Sequence, residues 1–268
     1  MSSNWSTDVL KKYLSVILLA CTALVSMPSL AQLSDSEAMN MAGLQRSLTQ
    51  RMVKNYLMLG ADVRVDMAQR QLKETVDRFD ASQKALTGYA PTAEIKAALA
   101  KVDATWAAHR QQIEAKPDQA KAAAVLATSE ELLQQTQNVS DLMGKHLGAM
   151  GATVHRTGWA RVQTQRIAML YMAKSWQVQA PDLDAKLDKA VSDFEIILKE
   201  LEARGTPNEE IANAQRRARA HWGFTLKGID LHAAQDFVPT VITVSTDSLF
   251  RQLNELTRLY AGLQAKEA

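Results

Sequence analysis

The sequence predicts an all-α protein built as two tandem four-helix bundles, and three observations carry that expectation. Helix formers dominate a chain of 268 residues that is 47% apolar and holds only 11 glycines and 6 prolines. No useful stretch alternates apolar and polar residues as a half-buried strand must. Finally, the skeleton G-x-x-R-x-x-T-Q-R-x-x-x-x-Y occurs twice, in "AGLQRSLTQRMVKNYLML" (Ala42 to Leu59) and in "TGWARVQTQRIAMLYMAK" (Thr157 to Lys174). Around it Phe79 recurs as Phe194, Pro91 as Pro207, Trp106 as Trp222, and "TSEELL" from Thr128 as "STDSLF" from Ser245, at offsets of 115, 116, 116 and 117. Such self-similarity is the mark of duplication. It divides the chain into a leader, 1–31, and two units, 32–149 and 150–268.

The leader has the composition of a signal peptide. Lys11 and Lys12 precede the apolar run Tyr13 to Met27, and Ser29-Leu30-Ala31 offers small residues for cleavage before Gln32. The run is shorter than the roughly 20 residues that span a bilayer. Export to the periplasm is therefore expected, with Leu18-Leu19-Ala20-Cys21 leaving open a lipid anchor through Cys21. Cys21 is the only cysteine, so no disulfide supports the fold. The charge of +2 falls to +1 without the two lysines and Asp8 of the leader, which disfavours nucleic acid as a partner.

In the first unit Ser34 and Glu37 form a capping-box signature for a helix to about Leu59. A second helix runs to about Leu86, with Gly88 near its end, and Pro91 and Pro117 open the third and fourth, the latter continuing to about Met143. Gly144, Gly148 and Gly151 predict a bend or break between the units. In the second unit Pro181 precedes the second helix, Thr206 caps a third that begins at Pro207, and Pro239 kinks or delays the last.

A helical wheel of the first motif places Met41, Leu44, Leu48, Met52, Tyr56 and Leu59 on a core stripe, and Met39, Ala42, Val53 and Leu57 on a second apolar face around Arg46. Gly43 and Gln50 flank Arg46 at helical spacing. The second copy puts Trp159, Ile167, Leu170 and Tyr171 on the core side, and Arg161 among Val154, Thr157, Ala168 and Met172, flanked by Gly158 and Gln165. Arg51 and Arg166 lie beside the core stripe, where a structural ion pair or hydrogen bond is expected. If the two first helices face each other, Arg46 and Arg161 converge in apolar surroundings, and a small oxyanion between them would relieve both repulsion and desolvation. The glycines would permit close backbone approach.

The first motif, "EAMNMAGLQRSLTQRMVKNYLML", resembles the PilJ-type sensory domain of type IV pilus chemoreceptors, and its G-x-x-R pattern resembles the nitrate-sensing segment of NarX-like histidine kinases. "HRTGWARVQTQRIAMLYMA" is a weaker match, with Trp159 and Ala160 inside the motif. The resemblance implies a periplasmic four-helix bundle that pairs with a second copy and binds nitrate or nitrite through Arg46 and Arg161, with backbone contributions from Gly43 and Gly158; Gln50 and Gln165 complete the candidate set. It also implies a membrane sensor to carry the signal. A ligand-free protein docking a sensor kinase, chemoreceptor or pilus component is the rival reading, and a homodimer pairing equivalent units is a further alternative. No cofactor, metal or catalytic residue is expected: His109, His146, His155, His221 and His232 have no ligand spacing, and no nucleophile motif occurs. His155 lies beside the second motif where the first has Asn40.

Overall fold

The computed structural model describes residues 33–148, 152–230 and 237–267. The expected signal peptide, Cys21 and the expected cleavage site after Ala31 lie outside the described residues. The described helices are α1 (Asp35–Gly60), α2 (Val65–Tyr89), α3 (Ala93–Glu114), α4 (Gln119–Leu147), α5 (Ala152–Ser175), α6 (Leu183–Ala203), α7 (Glu209–Asp230) and α8 (Pro239–Glu267). There is no strand among the described residues.

Local chemistry sets the helix ends. Ser34 Oγ accepts from the Glu37 amide while the Glu37 carboxylate accepts from the Ser34 amide, a complete capping box. Thr92 and Asp118 cap α3 and α4 with their side chains, so Pro91 and Pro117 stand just ahead of these helices rather than inside them. Asn208, not Thr206, caps α7: its Oδ1 accepts from the Ile211 amide at 2.9 Å. Asparagine is at least as good a cap as threonine, and its choice leaves Pro207 outside the helix. Pro239 is the first residue of α8, where its missing N–H costs nothing. Gly148, at φ +70°, ends α4, a backbone conformation that a side chain would oppose.

Residues from Ser34 onward form one compact unit. Within 34–148, α1 packs on α2 and α4, and α3 packs on α4; α5 to α8 repeat this pattern. Corresponding contacts hold each set together. Phe79 meets Trp106 with ring centroids 4.4 Å apart and Phe194 meets Trp222 at 4.6 Å, while the indole N–H groups donate to Asp80 and Glu195, each at 2.7 Å. The Tyr56 hydroxyl accepts from the Asp118 amide ahead of α4, and the Tyr171 hydroxyl from the Val238 amide ahead of α8.

The most extensive helix pairing joins α1 to α5. The two run parallel with motif positions side by side: a Cβ added to Gly158 would lie 3.9 Å from Gly43 Cα, and Gly60 abuts the Trp176 ring. Both helices are therefore buried on several faces, as two apolar faces per helix require. The face that pairing between chains would use is covered here by the other half of the same chain.

Candidate functional site

The α1–α5 crossing brings the two first arginines of the motif together. Arg46 is 0% and Arg161 2% exposed. A Cβ added to Gly43 would lie 3.1 Å from Arg161 Nη2 and 3.5 Å from Arg46 Nη2; at Gly158 the distances are 2.9 Å to Arg46 Nη2 and 3.4 Å to Arg161 Nη2. Both guanidinium groups thus occupy space that a glycine leaves free on the facing helix.

Their polar partners are neutral or weakly basic. Arg46 Nη1 donates to Gln137 Oε1 at 2.6 Å and lies 3.4 Å from His155 Nε2. Arg161 Nη1 donates to Asn254 Oδ1 at 3.0 Å and Asn40 Oδ1 at 3.2 Å. Each arginine therefore meets an amide from the fourth helix of its own half and the side chain at the matching position of the opposite first helix. Arg46 Nε, Arg161 Nε and Arg161 Nη2 are buried with no hydrogen-bond partner. No carboxylate among the described residues lies within ion-pair distance of either group.

Such a pair is electrostatically costly. Burial pushes the Arg46 guanidinium down to about 10, with the charge of Asp141 opposing that shift. Burial, followed by the charges of Arg46 and Arg78, pushes Arg161 down to about 9. Both remain cationic at neutral pH. Burial and Arg46 hold His155 below its ordinary value, favouring the neutral ring, although Asp141 Oδ1 lies 3.1 Å from its Nε2.

Trp159 belongs to this site rather than to the core side assigned by the wheel. Its half-buried ring lies 5.5 Å from the Arg46 guanidinium carbon, close enough for cation–π attraction. The physical reason is that α5 has two packed faces, so the wheel alone does not say which one receives a ring.

Gln50 and Gln165 lie one turn further along, and their amide nitrogens bond to other groups while Gln165 Oε1 is buried without a partner. Gln50 Nε2 donates to Ser129 Oγ at 3.1 Å and its Oε1 accepts from Arg166, while Gln165 Nε2 donates to Asp247 at 3.4 Å. The second arginines bind across the halves: Arg166 pairs with Glu130 of α4 at 2.5 Å, and Arg51 approaches Asp247 of α8 at 3.8 Å. Asp247 also holds Lys54, which is fully buried and lowered to about 8 by burial against the opposing charge of Asp247. Position 54 corresponds to Met169, so only the first half carries this lysine.

Residues 30–132 match the family described as "Type IV pili methyl-accepting chemotaxis transducer N-term" (PilJ). This stretch is similar to a PilJ-type domain. The match includes Gly43, Arg46 and Arg51 and ends inside α4, before Gln137. No curated protein and no solved structure matches the chain. A PilJ-type domain is a chemoreceptor-associated sensory or interaction module. Among the described residues no helix is long and apolar enough to cross a membrane, and no three metal-binding side chains converge.

The sequence reading missed Asn40, Gln137 and Asn254 as partners of the arginine pair. Gln137 and Asn254 are separated by 117 residues, the offset already visible in "TSEELL" and "STDSLF", so two recurring amides on the fourth helices were the available signal.

Proposed function

We propose that this is an exported, periplasmic sensory protein that binds a small oxyanion, with nitrate or nitrite the first candidates, between its PilJ-type domain and a second, duplicated unit of the same architecture. One observation carries the reading: two buried guanidinium groups meet between Gly43 and Gly158 without a carboxylate to neutralise them. A buried, unpaired cation costs several kcal/mol, and a second one beside it adds repulsion. A planar oxyanion supplies the missing charge and accepts from the fork of donors, including the unpartnered Arg161 Nη2. Gly43 and Gly158 keep the site open by carrying no side chain, and Trp159 covers one side of Arg46.

Calorimetry on the mature protein tests this with nitrate, nitrite and small monocarboxylates. Binding that weakens about 30-fold or more in Arg46→Ala and in Arg161→Ala supports the site. Absence of binding by the wild type, or binding indifferent to both substitutions, overturns it.

A docking role is favoured by a separate feature. Phe224 is 60% exposed and Val241 and Val244 are each 41% exposed, around a cavity of about 430 Å³ that also takes in His221. This apolar surface suits a membrane signalling partner, and the two roles are compatible. Phe224→Ser should weaken capture of a co-expressed chemoreceptor or sensor kinase; undiminished capture would remove this face from consideration.

A further inference from the structure

The two ends of the arginine site are not equivalent. At the Arg161 end a cavity of about 340 Å³ is lined by Arg161 itself together with Arg78, Arg251 and Arg258, the amides Asn40 and Asn254, and Glu255. Glu255 is drawn toward Arg217 at 3.5 Å, outside that lining. Arg78 is close enough for its charge to depress Arg161. Arg251 and Arg258 are exposed residues of α8 at its rim. Four guanidinium groups around one carboxylate leave this cavity strongly positive.

At the other end the corresponding positions have lost that charge. Arg78 corresponds to Asp193 at the α2-to-α6 offset of 115, and Arg251 and Arg258 correspond to Gln134 and Asp141 at the α4-to-α8 offset of 117. Asp141 there reaches His155, which lies against Arg46. Three basic residues thus correspond in sequence to two acids and an amide, of which Asp141 acts on Arg46 while Asp193 is paired with Lys189. The more basic field at the Arg161 end favours approach of an anion to the pair from that side.

We propose that the cavity of Arg78, Arg161, Arg251 and Arg258 is a second anionic subsite contiguous with the arginine pair, and that the ligand is a small organic dicarboxylate. This rests on the reading of Arg46 and Arg161 as an oxyanion site, and it extends that reading from one anionic group to two. One carboxylate lies at the buried pair and the other at the α8 rim. Arg161, which both borders the pair and lines the cavity, joins the two subsites. Bidentate guanidinium–carboxylate geometry gives the rim its chemical preference.

The test compares a four-carbon dicarboxylate, the monocarboxylate of equal length, nitrate and sulfate on the full mature protein at physiological ionic strength. A double variant, Arg251→Gln with Arg258→Asp, gives α8 the residues of α4 at these positions without altering a buried side chain. The wild type is expected to bind the dicarboxylate about tenfold more tightly than the monocarboxylate, and the double variant to lose that ratio. Wild-type affinity for the two acids within twofold, or a ratio unaffected by the double variant, overturns the second subsite. Sulfate carries both charges on one centre; if it gains as much from the rim as the dicarboxylate does, the rim acts by net charge alone and the proposal also fails. Nitrate binding that depends on Arg46, with no dicarboxylate preference, leaves the oxyanion reading standing and removes only this extension. No Arg46-dependent binding of any of the four anions removes both.

Discussion

The two halves share a skeleton but distribute charge differently. In both, the second motif arginine reaches an acid on the fourth helix of the other half, Arg166 to Glu130 and Arg51 to Asp247. Glu130 is partly exposed and serves Arg166, whereas Asp247 is buried and must also neutralise Lys54. Around the first arginines the contrast reverses: the Arg161 end is open and basic, and the Arg46 end is bounded by Trp159, His155 and Asp141. Matching backbones therefore do not fix matching charge, and the proposed site would be approached unequally from its two ends.

The largest difference between the halves is expected at the two cross-half acids. Asp247→Asn removes the only ion-pair partner of a fully buried Lys54 among the described residues and is expected to cost about 3–5 kcal/mol in chemical denaturation. Glu130→Gln, the matched change, should cost no more than about 1 kcal/mol because its pair is partly solvated. Equal losses would mean that the two acids do the same work despite their different burial.

Acid should also separate the matched positions 109 and 225. His109 is fully buried against Trp106, and burial lowers it to about 4 against a weaker opposing hydrogen bond from Gln112. At the corresponding position Thr225 hydrogen-bonds to the His221 carbonyl and cannot titrate. Because the unfolded chain takes up the proton first, nothing is lost above the ordinary histidine value of 6.5. Stability then falls as the pH is lowered from 6.5 toward 4, by up to about 3 kcal/mol. His109→Thr should flatten that segment of the stability curve, and a curve of unchanged slope would contradict the assignment.

Smaller effects are expected at the glycines. Gly158→Ala places a Cβ 2.9 Å from Arg46 Nη2, tighter than Gly43→Ala at 3.1 Å from Arg161 Nη2. Guanidinium tips can shift, and alanine gains helix propensity, so we expect a net loss of about 1 kcal/mol for Gly158→Ala and close to none for Gly43→Ala. Anion affinity, measured by titration, should fall more than stability in both, since the displaced groups are the proposed ligands. A variant that binds normally would separate the glycines from the site.

Much of this was legible before any coordinates. The capping box at Ser34 and Glu37, the helical spacing of the motif, and the pairing of Phe79 with Trp106 and Phe194 with Trp222 act through near neighbours or simple recurrence. The wheel also isolated Arg46 and Arg161 from Arg51 and Arg166. It erred on Trp159, because a helix packed on several faces has no single inward direction.

The helices, most of their ends and the two glycine–arginine pairs follow from local sequence, because caps and periodicity are decided within one or two turns. Only the tertiary structure decided that α1 and α5 run side by side in one chain, that Asn40 and His155 meet the opposite arginines, and that Arg78 joins Arg251 and Arg258 in one cavity. These residues lie on different helices, and no local rule carries their register. It is set by packing two apolar faces at once, with glycines at the crossing allowing the charges to meet.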